Sequence, residues 1–388
     1  MGYTSDHILL KSTFKSSDRK IDLPDSDLVM QKHTFESSNS LFLSAESSPN
    51  EYFQLSSMPD RYIPENRMFE YPLIRSKKIN KDSKLIIMLH GLNEKSWDKY
   101  WTWAKALAEN TGHTVLLFPL SFHMDRVPNL WSDPRKMTRL MQLRQEKYPG
   151  GGSMSFINAA LSERLENIPE RFVLSGYQSM LDLVELVKSI KAGLHKDFEA
   201  DTHIDIFGYS IGAFFSQVLL IANPHSLFSD SKFLLFSGGA VFSDINGASR
   251  FIMDEPAFKG LHNFYTHEKR WSRHSLDEFQ EVMSTQSFGN PFRAMLSLNT
   301  RRKLRERSFE EFSDRIKVIS LKKDHVFPFK KILSAFRKNM SSVVEILDAP
   351  FFYTHENPFP ISSKPCIKNH ADEMFDKIFY KAGQFLAS

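Results

Sequence analysis

HIDIFGYSIGAFFSQVLLIANP, residues 203–224, reads as a buried strand, a sharp turn and an apolar helix. Ile204, Ile206 and Phe207 supply the strand, GYSIG the turn, and Asn223 with Pro224 the stop, because proline cannot continue a helix. A strand, GxSxG and a helix in that order form a nucleophile elbow. So tight a turn presses the backbone against the neighbouring strand and helix, and Gly208 and Gly212 stand where a side chain would collide. Ser210 is then lifted, exposed, at the helix N-terminus. There the positive end of the helix dipole and the free N–H of Ile211 favour a developing oxyanion. The five-residue motif alone recurs by chance, and it is the strand and helix around it that single out Ser210.

The chain has 388 residues, enough for a large core and within the range of one α/β domain carrying insertions. Its 50 basic residues nearly balance 46 acidic ones, a net charge of +4, so no nucleic-acid partner is indicated. Cys366 is the single cysteine, which excludes an internal disulfide and a thiolate zinc site and fits a reducing, cytoplasmic setting. No apolar run approaches the ~20 residues of a membrane helix. The N-terminus, MGYTSDHILLKS, lacks a signal-peptide core and has Asp6 where a myristoylation motif takes Ser or Thr. A soluble protein is expected, with its oligomeric state open. Most of the 34 phenylalanines are assigned to the core.

Residues 1–35 are rich in Ser, Lys and Asp with little periodicity and read as a flexible arm. LFLSA, EYFQLSS and FEYPLIR, between Phe35 and Arg75, alternate as antiparallel edge strands do. Leu85–Leu89 is a continuous apolar strand. Ser96 is placed to cap a helix carrying Tyr100, Trp101, Ala104, Leu107 and Ala108, and Thr114–Leu120 is the next strand, which makes a parallel crossover. Residues 121–174, with PGGG at 149–152, read as an insertion. Met180, Leu183, Val184, Val187 and Ile190 mark a helix before the elbow, and Phe233–Phe236 a strand after it. A second insertion spans 241–313. Strands at Ile316–Leu321 and Val343–Leu347, a helix near Lys331–Phe336, and a C-terminal helix through Phe375, Ile378, Phe379, Ala382 and Phe385 close the pattern. Residues 36–388 therefore read as one mostly parallel, doubly wound sheet with two cap insertions.

A serine hydroxyl needs a base, and the base needs an acid to fix its tautomer. With the order serine, acid, histidine, Asp324 follows the strand Ile316–Leu321 at its carboxyl end, where open α/β sheets gather functional groups. A turn aspartate that merely caps the next helix is the plainer reading, and Asp244 is the substitute acid. His355, in DAPFFYTHENPFP after the last strand, is the candidate base. His370 at the start of the final helix competes, although a helix N-terminus disfavours an imidazolium, and His325 is too close to Asp324. Gly91, after Leu89 and His90, lets the chain approach substrate, so the N–H of Leu92 is expected to complete an oxyanion hole with Ile211. His90 itself is expected to brace that loop through hydrogen bonds.

HGLNE after a strand, GYSIG, KKDHVFPF and the final loop with His355 together resemble the α/β-hydrolase superfamily over about residues 70–388. FPLSFHMDR, GYSIGAF and YTHENPFP resemble, more narrowly, a bacterial α/β-hydrolase-fold family of unassigned function. The resemblance implies ester, thioester or amide chemistry by Ser210, Asp324 and His355 with no cofactor and says nothing of substrate; a small-molecule acyl compound is the expected partner, and no metal is expected. The chain has Thr354 where the commonest pattern has Gly before the loop histidine.

His123 and Arg126 are expected at the rim, holding a carboxylate or carbonyl, unless they only anchor the insertion; Tyr209 is grouped with them as a substrate contact. RRKLRER, residues 301–307, reads as a solvated helix face. Trp97, Trp101 and Trp103 suit packing better than sugar stacking. Two competing classes remain: a binding or regulatory protein on the same fold, and an acyltransferase using the same three residues.

Overall fold

The computed structural model describes residues 2–14, 17–38, 60, 63–268, 271 and 277–388. LFLSA and EYFQLSS, expected as strands, lie outside these residues; FEYPLIR lies within a strand. Among the described residues nine strands form one sheet: β1 (Lys20–Asp22), β2 (Leu28–Glu36), β3 (Met68–Ser76), β4 (Asp82–Leu89), β5 (Thr114–Phe118), β6 (Phe198–Tyr209), β7 (Phe233–Phe236), β8 (Ile316–Leu321) and β9 (Val344–Leu347). Their order is β1-β2-β3-β5-β4-β6-β7-β8-β9. β1, β2 and β3 pair antiparallel with their neighbours, and every pair from β5 to β9 is parallel. This order and the elbow after β6 make the fold that of an α/β-hydrolase.

A parallel sheet covered on both faces demands strands that are apolar throughout. Leu85, Ile87 and Leu89 of β4 face one core and Ile86 and Met88 the other. The first core is closed by α5 (Arg171–Lys191) and α6 (Ile211–Ala222). The second is closed by α1 (Tyr3–Thr13), α2 (Asp98–Thr111) and α12 (Pro365–Ala387). α2 starts at Asp98 with Trp97 as its N-cap, later than Ser96 had indicated.

The N-terminal segment corrects the expectation of a loose arm over residues 1–35. Tyr3 stacks on Phe375 with ring centroids 4.3 Å apart, and Asp372 accepts from both the Thr4 backbone N–H (2.8 Å) and its hydroxyl (2.6 Å). β2 pairs with β3 along its whole length. Its polar composition hid this because the anchoring side chains, Tyr3, Thr4 and Leu10, are too few and too unevenly spaced to set up a period.

The first insertion carries α3 (Pro134–Lys147) and α4 (Ala159–Asn167). The second carries α7 (Glu255–Thr266), α8 (Asp277–Ser284), α9 (Gly289–Ala294) and α10 (Arg302–Glu311). The two insertions are riveted together. Buried Arg144 binds Asp254 through Nε (2.6 Å) and Nη2 (2.9 Å) and also pairs with Glu163. The Asn158 amide donates to the Ser249 carbonyl (2.9 Å). On α10, Arg302 and Arg307 pair with Glu306 and Glu311 at the surface, but Arg305 is buried and donates to the carbonyls of Ala294, Ser297 and Leu298. The RRKLRER segment is therefore part solvated face and part anchor. No described helix is long and apolar enough to cross a membrane.

Candidate active site

β6 delivers the chain into the elbow, and the turn there is as tight as GYSIG implies. Ser210 has φ +58° and ψ −119°, a backbone conformation that costs about 1–3 kcal/mol and persists only where the surroundings impose it. They do so by close approach. A Cβ on Gly208 would lie 2.5 Å from the Ser216 Oγ, and one on Gly212 would lie 2.5 Å from the Leu89 carbonyl oxygen. The Gly212 N–H donates to the His90 carbonyl (3.0 Å), tying the start of α6 to the loop after β4, and the Ser210 N–H donates to Phe236 (3.1 Å).

The loops after β8 and β9 bring two more side chains to that serine. His355 Nε2 lies 2.6 Å from Ser210 Oγ, and His355 Nδ1 lies 2.8 Å from Asp324 Oδ2. The other carboxylate oxygen of Asp324 accepts the N–H groups of Val326 and Phe327, both at 2.9 Å. A carboxylate only accepts, so Nδ1 carries the ring hydrogen and Nε2 offers its lone pair to the serine hydroxyl. All three residues are buried, so Ser210 is not the exposed side chain that the elbow by itself predicts. The imidazole stacks on two rings, Tyr209 at 5.5 Å and Phe327 at 5.6 Å between centroids.

The other candidates fall elsewhere. His370 lies on α12 with Nδ1 3.6 Å from Cys366 Sγ, His325 is exposed, and Asp244 pairs with Lys331 (2.9 Å). Leu92, Ser210 and Ile211 line one apolar cavity of about 30 Å³, closed over by Phe172, Phe242, Ile252, Met253 and Phe258. Most of that cover comes from the second insertion. His90 braces the loop: its Nε2 accepts the Leu120 N–H (2.9 Å), so Nδ1 donates to the Gly91 carbonyl (2.9 Å). Burial holds its pKa well below the ordinary histidine value, keeping it neutral.

Two expected substrate contacts, Arg126 and Tyr209, are corrected, and a third, His123, is not the charged rim group that was expected. Arg126 is wholly buried; it donates to Asp182 (2.6 Å), Asn66 and the Pro119 carbonyl, and its guanidinium lies 3.9 Å from the Phe69 ring centroid. It anchors the first insertion, with four of its five N–H groups donated to Asn66, Pro119 and Asp182 and no surface exposed at the rim. The Tyr209 hydroxyl donates to the His355 carbonyl, so that side chain points to the loop and not to substrate. His123 is also buried; its Nδ1 is held by the Ser121 carbonyl (2.9 Å), and burial lowers its pKa to about 4. As a neutral ring it cannot hold a carboxylate by charge.

Sequence reading missed the support beneath the loop after β4. The Tyr100 hydroxyl accepts the Gly91 N–H (2.9 Å) and donates to Glu94, and Lys99 pairs with Glu94 while its ammonium lies 4.7 Å from the Tyr209 ring centroid. Tyr100 stands in the sequence only as one of the apolar positions at helical spacing, and that spacing does not signal a bond from its hydroxyl back to Gly91, nine residues upstream. Trp97, Trp101 and Trp103 are buried, which leaves no stacking face for a sugar. Among the described residues, His33, His195 and Asp197 bring metal-type ligand atoms within 4.8 Å of one another. They sit at the far end of β6 from the elbow, and Arg75 already pairs with Asp197 (2.7 Å).

The family of unknown function DUF6051 matches residues 1–387. The chain belongs to that family. No curated protein matches the sequence. Among solved structures, the DUF6051 chain is similar to a mutant of the esterase rPPE, at 10% identity over 99% of this chain and 89% of that one, TM-score 0.47. The esterase of Pyrobaculum calidifontis is 12% identical over 99% and 90%, TM-score 0.41. Carboxyl esterase 2 of the mycorrhizal fungus Tuber melanosporum is 10% identical over 96% and 90%, TM-score 0.42.

Proposed function

We propose that this DUF6051 protein is a serine hydrolase that cleaves a carboxylic ester, thioester or amide. The observation that carries the reading is the continuous relay from Ser210 Oγ through His355 to Asp324, at 2.6 and 2.8 Å. His355 takes the Ser210 proton as the oxygen attacks the substrate carbonyl, and Asp324 stabilises the imidazolium that forms. The N–H groups of Ile211 and Leu92 receive the oxyanion, aided by the N-terminus of α6. His355 then protonates the leaving group, and a water activated by the same ring hydrolyses the acyl-enzyme.

A cavity of about 30 Å³ beside Ser210 holds a water or two and no acyl chain. In this reading the two insertions move apart to admit an acyl chain, with Arg144 and its acidic partners as the joint between them. The test is labelling by a fluorophosphonate. Wild-type protein is expected to take one label and Ser210→Ala none, with both hydrolysing or failing to hydrolyse short p-nitrophenyl esters accordingly. Equal labelling of the two would overturn the assignment.

A further inference from the structure

A second cavity, of about 50 Å³, lies behind Leu92, Phe172 and Ile211, which wall both it and the cavity at Ser210. Its remaining lining is largely aromatic and aliphatic: Leu120, Phe214, Phe215, Val218, Phe288 and Phe292. Ser175 and Ser179 also line it, but their hydroxyls donate to the carbonyls of Phe172 (3.0 Å) and Ser175 (2.7 Å), which leaves two unpaired polar atoms in the lining. His123 and Ser121 both border the cavity, and among the described residues neither His123 Nε2 nor Ser121 Oγ has a hydrogen-bond partner.

The chemistry of the pair is set by its neighbours. A carbonyl oxygen only accepts, so the 2.9 Å contact between His123 Nδ1 and the Ser121 carbonyl puts the ring hydrogen on Nδ1. Nε2 is left as a bare lone pair, with exposure of the residue only 7%. Burial keeps the ring in this neutral form, with a pKa of about 4. A buried acceptor without a donor is unfavourable, and a ligand that supplies one relieves it. The Ser121 hydroxyl, which lines the same cavity, can both donate and accept.

We infer that His123 and Ser121 form a specificity subsite for a hydrogen-bond donor, a hydroxyl or an amide N–H, carried on an otherwise apolar acyl chain. The donor would bond to His123 Nε2, and the oxygen of a hydroxyl would accept from Ser121, while the chain itself runs past Leu92 and Phe172 from the acyl carbon at Ser210. This rests on the hydrolase reading and sharpens it: the substrate is a hydroxyacyl or amidoacyl compound. A plain fatty acyl group leaves both polar atoms unpaired, which is the kind of mismatch by which sites built around a hydrogen bond reject its absence.

The experiment compares p-nitrophenyl esters of acyl chains from four to eight carbons with matched chains bearing a hydroxyl or an acetamido group. At least one donor-bearing ester is expected to exceed its alkyl counterpart in kcat/KM by about tenfold. His123→Phe should erase that ratio, and His123→Asn, which keeps both an N–H for the Ser121 carbonyl and an acceptor, should restore part of it. Ser121→Ala should reduce the hydroxyl preference more than the acetamido one, a readout that survives if His123→Phe does not fold. Alkyl esters turned over in a Ser210-dependent way with no donor preference at any length would overturn the subsite and leave the hydrolase reading standing. If no ester is turned over, calorimetry with methyl 6-hydroxyhexanoate against methyl hexanoate decides the subsite alone: equal binding, or none to either, overturns it.

Discussion

The hydroxyl of Tyr209 donates a hydrogen bond to the backbone carbonyl of His355, while the ring of Tyr209 stacks on the His355 imidazole at 5.5 Å. The residue before the elbow serine thus grips both the backbone and the side chain of the loop that supplies the histidine. Burial, with Glu94 nearby, raises the Tyr209 pKa well above the ordinary phenol value, so the hydroxyl stays a donor throughout the working pH range. Tyr209→Phe keeps the stack and deletes the bond. It is expected to lower kcat on short esters several-fold, with about 1 kcal/mol of lost stability. Unchanged kcat with the same loss of melting temperature would mean that the bond supports the fold and not the imidazole.

Asp324 orients His355 through one oxygen and its own loop through the other. Asp324→Asn should therefore lower turnover by about 10⁴, because an amide favours the wrong imidazole tautomer. His355→Ala should be at least as damaging, and His370→Ala should leave turnover near wild type. A dead His370→Ala protein with native circular dichroism would contradict the placement of the base.

Arg126 and Asp182, both with no exposed surface, form an ion pair whose removal from one side strands a buried charge. Arg126→Ala is expected to cost about 3–5 kcal/mol of stability. If the residue touched substrate, its loss would instead appear as a raised KM in a protein of normal melting temperature.

Several buried or half-buried histidines make stability depend on pH. His33, His113 and His123 are each lowered by burial to about 4, and His90 lies well below the ordinary value, with His123, Lys99 and Arg126 adding to the depression. The unfolded chain binds protons on these rings below about pH 6.5 while the folded chain does not. Stability is therefore complete above that pH and falls as pH drops towards 4, by up to about 1.4 kcal/mol per unit for each ring. Urea midpoints at pH 7.5, 6 and 5 should decline in that order. A flat series would show that these rings take protons without unfolding.

The sequence by itself determined the elbow, because strand, turn and helix are contiguous in residues 203–224 and each glycine answers a contact made within a few ångströms of it. It also determined the parallel core strands, whose apolar runs follow from burial on both faces, and it narrowed the acid to the loop after Ile316–Leu321. What it could not determine depends on contacts between distant segments. Arg126 looks identical whether it faces a ligand or Asp182, and only the approach of α5 decides. Tyr3 and Thr4 have no local period, so their seat on Phe375 and Asp372, more than 360 residues away, emerges only when α12 crosses α1. The choice between His355 and His370 likewise awaited the path of the chain after β9, since both follow the last strand and only its turn over the sheet's carboxyl edge brings one ring to Ser210.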